Sequence, residues 1–404
     1  MRQISDTFGR LDGARAFGYA KGVAPARSLL RLVVVPLLVV VTTLGCPSSA
    51  FARERLKVLV PEKDNLQYLA FWVAKATGAF DRQGIDLELV VAAPASKSGG
   101  TPPIDGMLES GEADAAVLTP TVYLRMIGAR IPVVLVANLF KNEPYALVVR
   151  REVVETRQLS PSSPLHDRVH GLKGATIGYP PAAFSRLRAL LASQGLDIEK
   201  DVKPRVLLAR DQNDAFKDKT LDAALLATPH LEKAATTADA VVIVNFARGE
   251  APELANRQTH VLGVARRIYE TRREAILAAV RSIAEAEKLI HSSQGAVVDA
   301  LVRELPGRDR RELETLVALY EPAVPATPDV RAEDIAPALA LVPEGVPKPE
   351  LAGMELAPFV AADVAAAVAT RSSAEGRPRW VAIGIGLFLF VVILLVWRRR
   401  RAAR

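Results

Sequence analysis

The sequence predicts an α/β protein of two lobes, followed by a helical extension and one transmembrane helix. Three observations carry this reading. From Arg53 onward, short apolar runs alternate with helical stretches of about a dozen residues, the pattern of sheets covered by helices. The alternation restarts after Lys141-Asn142-Glu143-Pro144 and gives way to helices alone from Glu270. Near the C-terminus, 380–397 is a run of 18 residues without a charge.

In the first cycle, 56–61 (LKVLVP) reads as a strand and 65–77 as a helix. Leu66, Leu69, Phe71, Trp72 and Val73 recur there at helical spacing, and Gly78 supplies a C-cap. Strands at 85–91, 113–118 and 132–137 follow, with helices at 104–110, ended by Gly111, and at 119–127. In the second cycle, 145–150, 175–178, 205–208, 222–226, 241–245 and 260–265 read as strands. Residues 183–194 form a helix stopped by Gly195, and 160–170, dense in Pro and Ser, reads as a loop. Strands spaced in this way imply parallel sheets. Residues 271–291 are strongly amphipathic, with Ile276, Leu277, Val280, Ile283, Ala284 and Leu289 interleaved with Arg and Glu. Helices around 295–305, 309–320, 331–341 and 355–370 complete the body, with 322–328 and 343–349 as proline-rich connectors.

The two ends set the address. Residues 29–44 form an apolar run preceded by basic residues and followed by small ones, the layout of a signal peptide. Two processing readings stay open. Ala50-Phe51-Ala52 has the A-x-A pattern of a signal-peptidase site, while Thr43-Leu44-Gly45-Cys46 resembles a lipobox in which Cys46 would be lipidated. At the other end, Trp380 and Trp397 flank the uncharged run at interfacial positions, and Arg398-Arg399-Arg400-Arg401 follows at once. The positive-inside rule keeps that cluster cytoplasmic and the body outside. The formal charge of +7 is concentrated in these ends: 1–52 carry +4 and the last seven residues +5, leaving the body at −2. A near-neutral body offers no basic stripe for nucleic acid. Cys46 is the one cysteine, so no intramolecular disulfide forms.

Four motifs carry a resemblance. Asn65-Leu66-Gln67-Tyr68-Leu69-Ala70-Phe71-Trp72-Val73-Ala74-Lys75, then Gly78-Ala79-Phe80 and Gly84-Ile85-Asp86-Leu87-Glu88-Leu89-Val90, resembles the opening of the nitrate/sulfonate/taurine and thiamine-precursor binding proteins. Leu108-Glu109-Ser110-Gly111-Glu112-Ala113-Asp114-Ala115-Ala116 is similar to the family's second element. Leu172-Lys173-Gly174-Ala175-Thr176-Ile177-Gly178 matches its third, and Leu221-Asp222-Ala223-Ala224-Leu225 its fourth, with Thr220 where Gly is usual. The resemblance covers roughly 56–290, and 306–370 match nothing in it.

It implies a type II periplasmic-binding-protein fold that captures a small molecule between two lobes and delivers it to ABC permease subunits, without cofactor or catalysis. The organisation expected is a signal peptide at 1–52, lobe I at 53–142 and 246–293, and lobe II at 143–245. A helical extension at 294–370, a stalk at 371–379, the membrane helix at 380–397 and a basic tail at 398–404 follow. This places a single-pass protein in the inner membrane with its binding domain in the periplasm. A ligand-sensing receptor acting through a partner is the alternative. An enzyme such as the fungal thiamine-precursor synthases of this fold would need a cysteine-rich motif that the chain does not contain.

Ligands of open α/β sheets settle beyond the carboxyl ends of the strands, so the loops there supply the site candidates. Asn65, Gln67 and Tyr68 open the first helix, with N-capping as the plainer role. Thr119 and Thr121 follow the third strand at a helix start. In the second lobe, Tyr179, Phe184 and Ser185 occupy the matching turn, and Thr228 and His230 follow 222–226, with Asn245 ending a later strand. Ser98-Gly99-Gly100-Thr101 is a glycine-rich turn that could cradle an oxyanion. His166 and His170 have helical metal-ligand spacing but no third ligand nearby, and no metal site is assigned to them.

Overall fold

The computed structural model describes residues 53–63, 65–92, 104–343, 345–364 and 367–368. The expected signal peptide, Cys46, residues 98–101, and the expected stalk, membrane helix and basic tail lie outside the described residues. Among the described residues, no helix is long and apolar enough to cross a membrane.

Among them are ten strands: β1 (Glu54–Val60), β2 (Ile85–Val91), β3 (Ala115–Leu118), β4 (Val133–Lys141), β5 (Ala146–Arg150), β6 (Thr176–Tyr179), β7 (Lys203–Val206), β8 (Ala223–Leu226), β9 (Ala240–Asn245) and β10 (Gln258–Ala265). They form two five-stranded sheets, ordered β2-β1-β3-β10-β4 and β7-β6-β8-β5-β9. Neither sheet is all-parallel, which corrects the expectation. β1 runs parallel to β2 and β3, but β10 is antiparallel to both of its neighbours, β3 and β4. In the second sheet β6 runs parallel to β7 and β8, and β5 is antiparallel to β8 and β9. The reversed strands are the ones that enter a sheet from the other lobe. The chain leaves β4 at its carboxyl end and enters β5 from that same side; it leaves β9 likewise to enter β10. Each crossover strand must therefore run against the parallel set. Gly263 permits the insertion of β10, because a Cβ there would come within 2.4 Å of Leu118 Cδ1 and 3.2 Å of Val133 Cγ2.

The first helix, Leu69–Ala76, starts after a 3-10 turn at Leu66–Tyr68 and buries Leu69 through Ala74 against the sheet and the Arg273–Ser292 helix. Tyr68, Phe71, Trp72 and Phe80 cluster there in a chain with only 5 % aromatic residues. Helices at Arg151–Thr156, Ala209–Lys217 and His230–Thr237 were not expected from the sequence, and Leu165–His170 is helical where a loop was expected.

After β10 the chain closes over both lobes. The Gln294–Glu304 helix packs on Leu69–Ala76, and Arg310–Tyr320 packs on His230–Thr237. Their apolar faces (Val297, Leu301, Leu316, Val317) join the two lobes into one cluster reaching from Val58 to Leu231. Beyond Tyr320, the helix expected at 331–341 is replaced by 3-10 turns at Ala332–Asp334 and Ala336–Leu341, and the one expected at 355–370 begins late, with a 3-10 turn at Ala357–Phe359 before helical residues at 362–364 and 367–368. Pro337 and Pro358 explain this, since a proline removes a donor and clashes with the preceding turn of an α-helix. This segment covers the outer edge of β4: Asn138 N–H donates to the Pro328 carbonyl (2.9 Å) and Ala361 N–H to that of Leu135 (3.0 Å). An edge strand that would otherwise offer unpaired backbone groups is thereby capped.

Candidate functional site

The crossovers fix where a site can lie. Both leave and enter the sheets at the carboxyl ends of β4 and β9, so those ends of the two sheets meet at the interlobe seam. All ten assigned site residues fall at that end of a strand.

In the first lobe, Asn65 caps the 3-10 turn by accepting from the Gln67 N–H (3.1 Å), and its carbonyl accepts from Trp72 Nε1 (2.9 Å). Its role is local. Gln67 is half-buried, and its side-chain amide lies 3.1 Å from His260 Nε2. Tyr68 is 1 % exposed and meets His260 edge-on at 4.9 Å, so it belongs to the core rather than to a ligand surface. Burial, and then the charge of Glu62, holds its hydroxyl pKa well above the usual tyrosine value. Phe140 also meets the imidazole edge-on, at 5.7 Å. Burial, with Arg186 adding to it, pushes the His260 pKa down to about 3, so the ring is neutral at physiological pH. Thr119 occupies the N-cap position of the Pro120–Gly128 helix, yet its hydroxyl makes no capping bond. Capping therefore does not account for it. Thr121, in the first turn, is half-buried.

In the second lobe, Tyr179 ends β6, is 5 % exposed and belongs to the lobe's core, with its ring tilted 39° to that of Phe184 and the centroids 5.4 Å apart. Arg188 lies over the far side of Phe184, and Ser185 is half-buried beside them. Thr228, by contrast, is taken up by structure. Its N–H donates to Tyr320 Oη (3.1 Å) and its hydroxyl to Glu232 Oε1 (2.6 Å). His230 is half-buried, and its carbonyl accepts from Asn213 Nδ2 (3.2 Å). Asn245 is likewise structural: its oxygen caps Ala247 N–H (3.0 Å) and its amide donates to the Leu319 carbonyl (2.9 Å). His166 and His170 stack ring on ring at 3.8 Å, with His170 Nε2 2.8 Å from the Gln194 carbonyl.

The seam between the lobes is charged and closed. Arg186 donates through Nε and Nη2 to Glu143 (3.0 and 3.2 Å) and again from Nη2 to the Leu341 carbonyl (2.5 Å). Glu143 lies in the first crossover, Arg186 in lobe II and Leu341 in the extension, so one guanidinium ties three segments. Burial works against its charge, and the Glu143 carboxylate more than offsets that, holding the Arg186 pKa above its ordinary value. A second buried pair, Glu232 with Arg308, joins lobe II to the extension. Tyr320 closes the set by donating to the Pro144 carbonyl (2.7 Å). Asn142, at φ 67°, ties the two crossovers, donating to the Ala247 carbonyl (3.0 Å) and accepting from Asn256 N–H (2.7 Å).

Gln258, Thr259 and His260, buried at the head of β10 with His260 beside Gln67, were not among the assigned residues, although three polar residues heading an otherwise apolar strand were visible in the sequence. Arg186 and Glu143 pair across 43 residues of chain, and no local pattern announces that.

A two-lobed α/β fold with joined carboxyl ends is the architecture of solute-binding proteins, and comparison with known proteins agrees. The model of the NMT1-like family matches residues 64–301, more than half of the chain, and the chain belongs to that family. Among solved structures, it is similar to a putative sulfonate ABC transporter's periplasmic sulfonate-binding protein SsuA from Methylobacillus flagellatus, at 16 % identity and TM-score 0.56 over 80 % of this chain and 96 % of that one. The periplasmic aliphatic sulphonate binding protein SsuA of Escherichia coli aligns at 19 % identity and TM-score 0.50, over 71 % and 85 % of the two chains. The desulfurization enzyme DszB aligns at 15 % identity and TM-score 0.52, over 79 % and 100 %. At these identities the likeness is one of fold, and an enzyme shares it. No curated protein sequence matched the chain.

Proposed function

We propose that this chain is the membrane-tethered, periplasmic solute-binding component of an ABC importer, holding one small molecule between its lobes and passing it to permease subunits. The observation that carries the reading is the placement of polar side chains at the joined carboxyl ends of both sheets. Gln67, Thr119 and Thr121 stand on one side, and Ser185 and Phe184, which packs on Tyr179, on the other. Hydroxyls, amides and a stacking aromatic can desolvate and orient a small solute without covalent chemistry. Family membership supports binding as the role, and the named SsuA neighbours make sulfonates one solute class to try, beside nitrate-like anions and pyrimidine-type precursors. The leader at 1–52 and the apolar run at 380–397 support export and a tether, which would keep the binding domain close to its permease.

Thermal unfolding of the full chain against sulfonates, oxyanions, amino acids and pyrimidines tests the role, because a solute bound only by the folded state raises its melting temperature. A rise of several degrees with one class is expected. A flat response in folded protein, or turnover of a sulfinate or sulfonate, contradicts it.

A further inference from the structure

Three hydrogen bonds at the head of β10 determine which end of the Gln67 side chain is left for a ligand. Thr259 has a single hydroxyl proton, and it is given to the Phe140 carbonyl at 2.8 Å. The oxygen of that hydroxyl, 3.2 Å from His260 Nδ1, can then only accept from the ring. A neutral imidazole with its proton on Nδ1 has a lone pair on Nε2, which must be met by a donor. With Gln67 Oε1 turned toward Nε2, at 3.1 Å, two acceptors would face each other. The opposite orientation of the amide, in which –NH2 donates to Nε2, satisfies every member of the chain. Ring neutrality follows from the surroundings: His260 is 3 % exposed, flanked by Tyr68 and Phe140, with no carboxylate bonded to either nitrogen.

We infer that His260 is a positioning residue that holds the Gln67 carbonyl away from the imidazole and available to a ligand, so that at this point the first lobe presents an acceptor and takes a molecule carrying an N–H donor. This rests on the solute-binding reading above and sharpens it to a ligand class. Asn65 fixes the Gln67 backbone through the 3.1 Å bond to its N–H, so the side chain reaches His260 from a set position.

The test has two arms. The first labels the full chain with 15N-histidine and reads the tautomer of each of the five histidines by long-range proton–nitrogen correlation, assigning His260 by loss of its signals in His260→Asn. Nδ1–H is expected for His260. An Nε2–H ring, or an imidazolium, at neutral pH overturns the inference. Should His260→Asn fail to fold, Gln67→Glu gives the assignment, because a carboxylate offers only acceptors and must switch the ring to Nε2–H or charge it; an unchanged ring in that variant also overturns the inference. The second arm measures thermal shifts with 4-aminopyrimidine and ethylamine as N–H donors, and with nitrate and methanesulfonate as oxyanions. A response to the donors that weakens about tenfold in apparent affinity in Gln67→Met supports the acceptor role. An oxyanion response lost in Gln67→Met overturns the inference while leaving solute binding intact. A flat response to all four, with the Nδ1–H tautomer present, overturns the ligand assignment and counts against the binding reading itself, while the ring's positioning of Gln67 stands.

Discussion

Two polar clusters lie close together between the lobes, and they handle burial in opposite ways. The seam cluster is ionic: Glu143 and Glu232 are 2 % and 0 % exposed and face Arg186 and Arg308. The cluster at the head of β10 is neutral, built from Thr259, His260 and Gln67, with Gln67 half-buried. Buried charge is tolerated only where its partner is held in place, so the seam is suited to locking crossover, lobe and extension together. A chain of neutral donors and acceptors ending in a part-exposed amide suits recognition, since its last member changes partner at small cost. In this molecule, charge holds the lobes, and the proposal gives neutral dipoles the contact with the solute.

The largest effect is expected where that division is broken on the ionic side. Arg186→Met strands a buried carboxylate and lowers stability by about 3–5 kcal/mol in urea unfolding. Glu143→Gln combined with Arg186→Met should recover most of it, and a double variant no more stable than the single one would show that the pair is not what ties the seam.

On the neutral side, the corresponding handle is pH. His260 has its folded pKa lowered to about 3, below the ordinary histidine value. Between those values the unfolded chain takes up a proton that the folded chain refuses, so stability is retained above the ordinary value and lost as pH falls toward 3. The loss is about 3–5 kcal/mol over that window, and His260→Gln should remove that share of the slope in urea titrations at successive pH values.

Glu287 supplies the opposite sign. Neither of its oxygens has a partner, and burial, with Asp329 nearby, raises its pKa well above the carboxylate range. Stability from the protonated form is complete at low pH and is lost as pH rises through the folded value. Glu287→Met should therefore stabilise by roughly 1–2 kcal/mol at pH 8 and by less at pH 4. Equal effects at both pH values would contradict a neutral buried carboxyl.

The smallest effect on stability is expected at Thr119. Since its hydroxyl makes no capping bond, Thr119→Val should change stability by under about 0.5 kcal/mol. Asp309→Ala, which removes real caps to Arg311 N–H and Glu312 N–H, should cost about 1 kcal/mol. If the two were equal, Thr119 would be a structural cap and not a site residue.

Much of this architecture could be read from sequence, because alternating strands and helices are recorded in local periodicity. The strands of the first lobe and Gly78 and Gly111 at helix ends follow from patterns within a dozen residues, whereas the return of the chain to the first lobe after 246 was implied by the resemblance alone. Strand direction was not legible, since the insertion of β5 and β10 is decided by crossovers rather than by composition. The site was legible in part. Position after a strand singled out Gln67, Thr119 and the Tyr179–Phe184 pair as candidates, but it could not separate them from Thr228 or Asn245, whose polar atoms are used by Glu232 nearby and by Tyr320 and Leu319 from far along the chain. Arg186 was hidden for the same reason: its partners lie 43 residues before it and 155 after it.

Native mass spectrometry of the full chain, incubated with a pooled library of small solutes, tests the central claim most directly. Capture between the lobes predicts a one-to-one adduct that is lost in Gln67→Met/Thr119→Val, a variant expected to keep its fold. No adduct from any class, or an adduct that survives those substitutions, would contradict it.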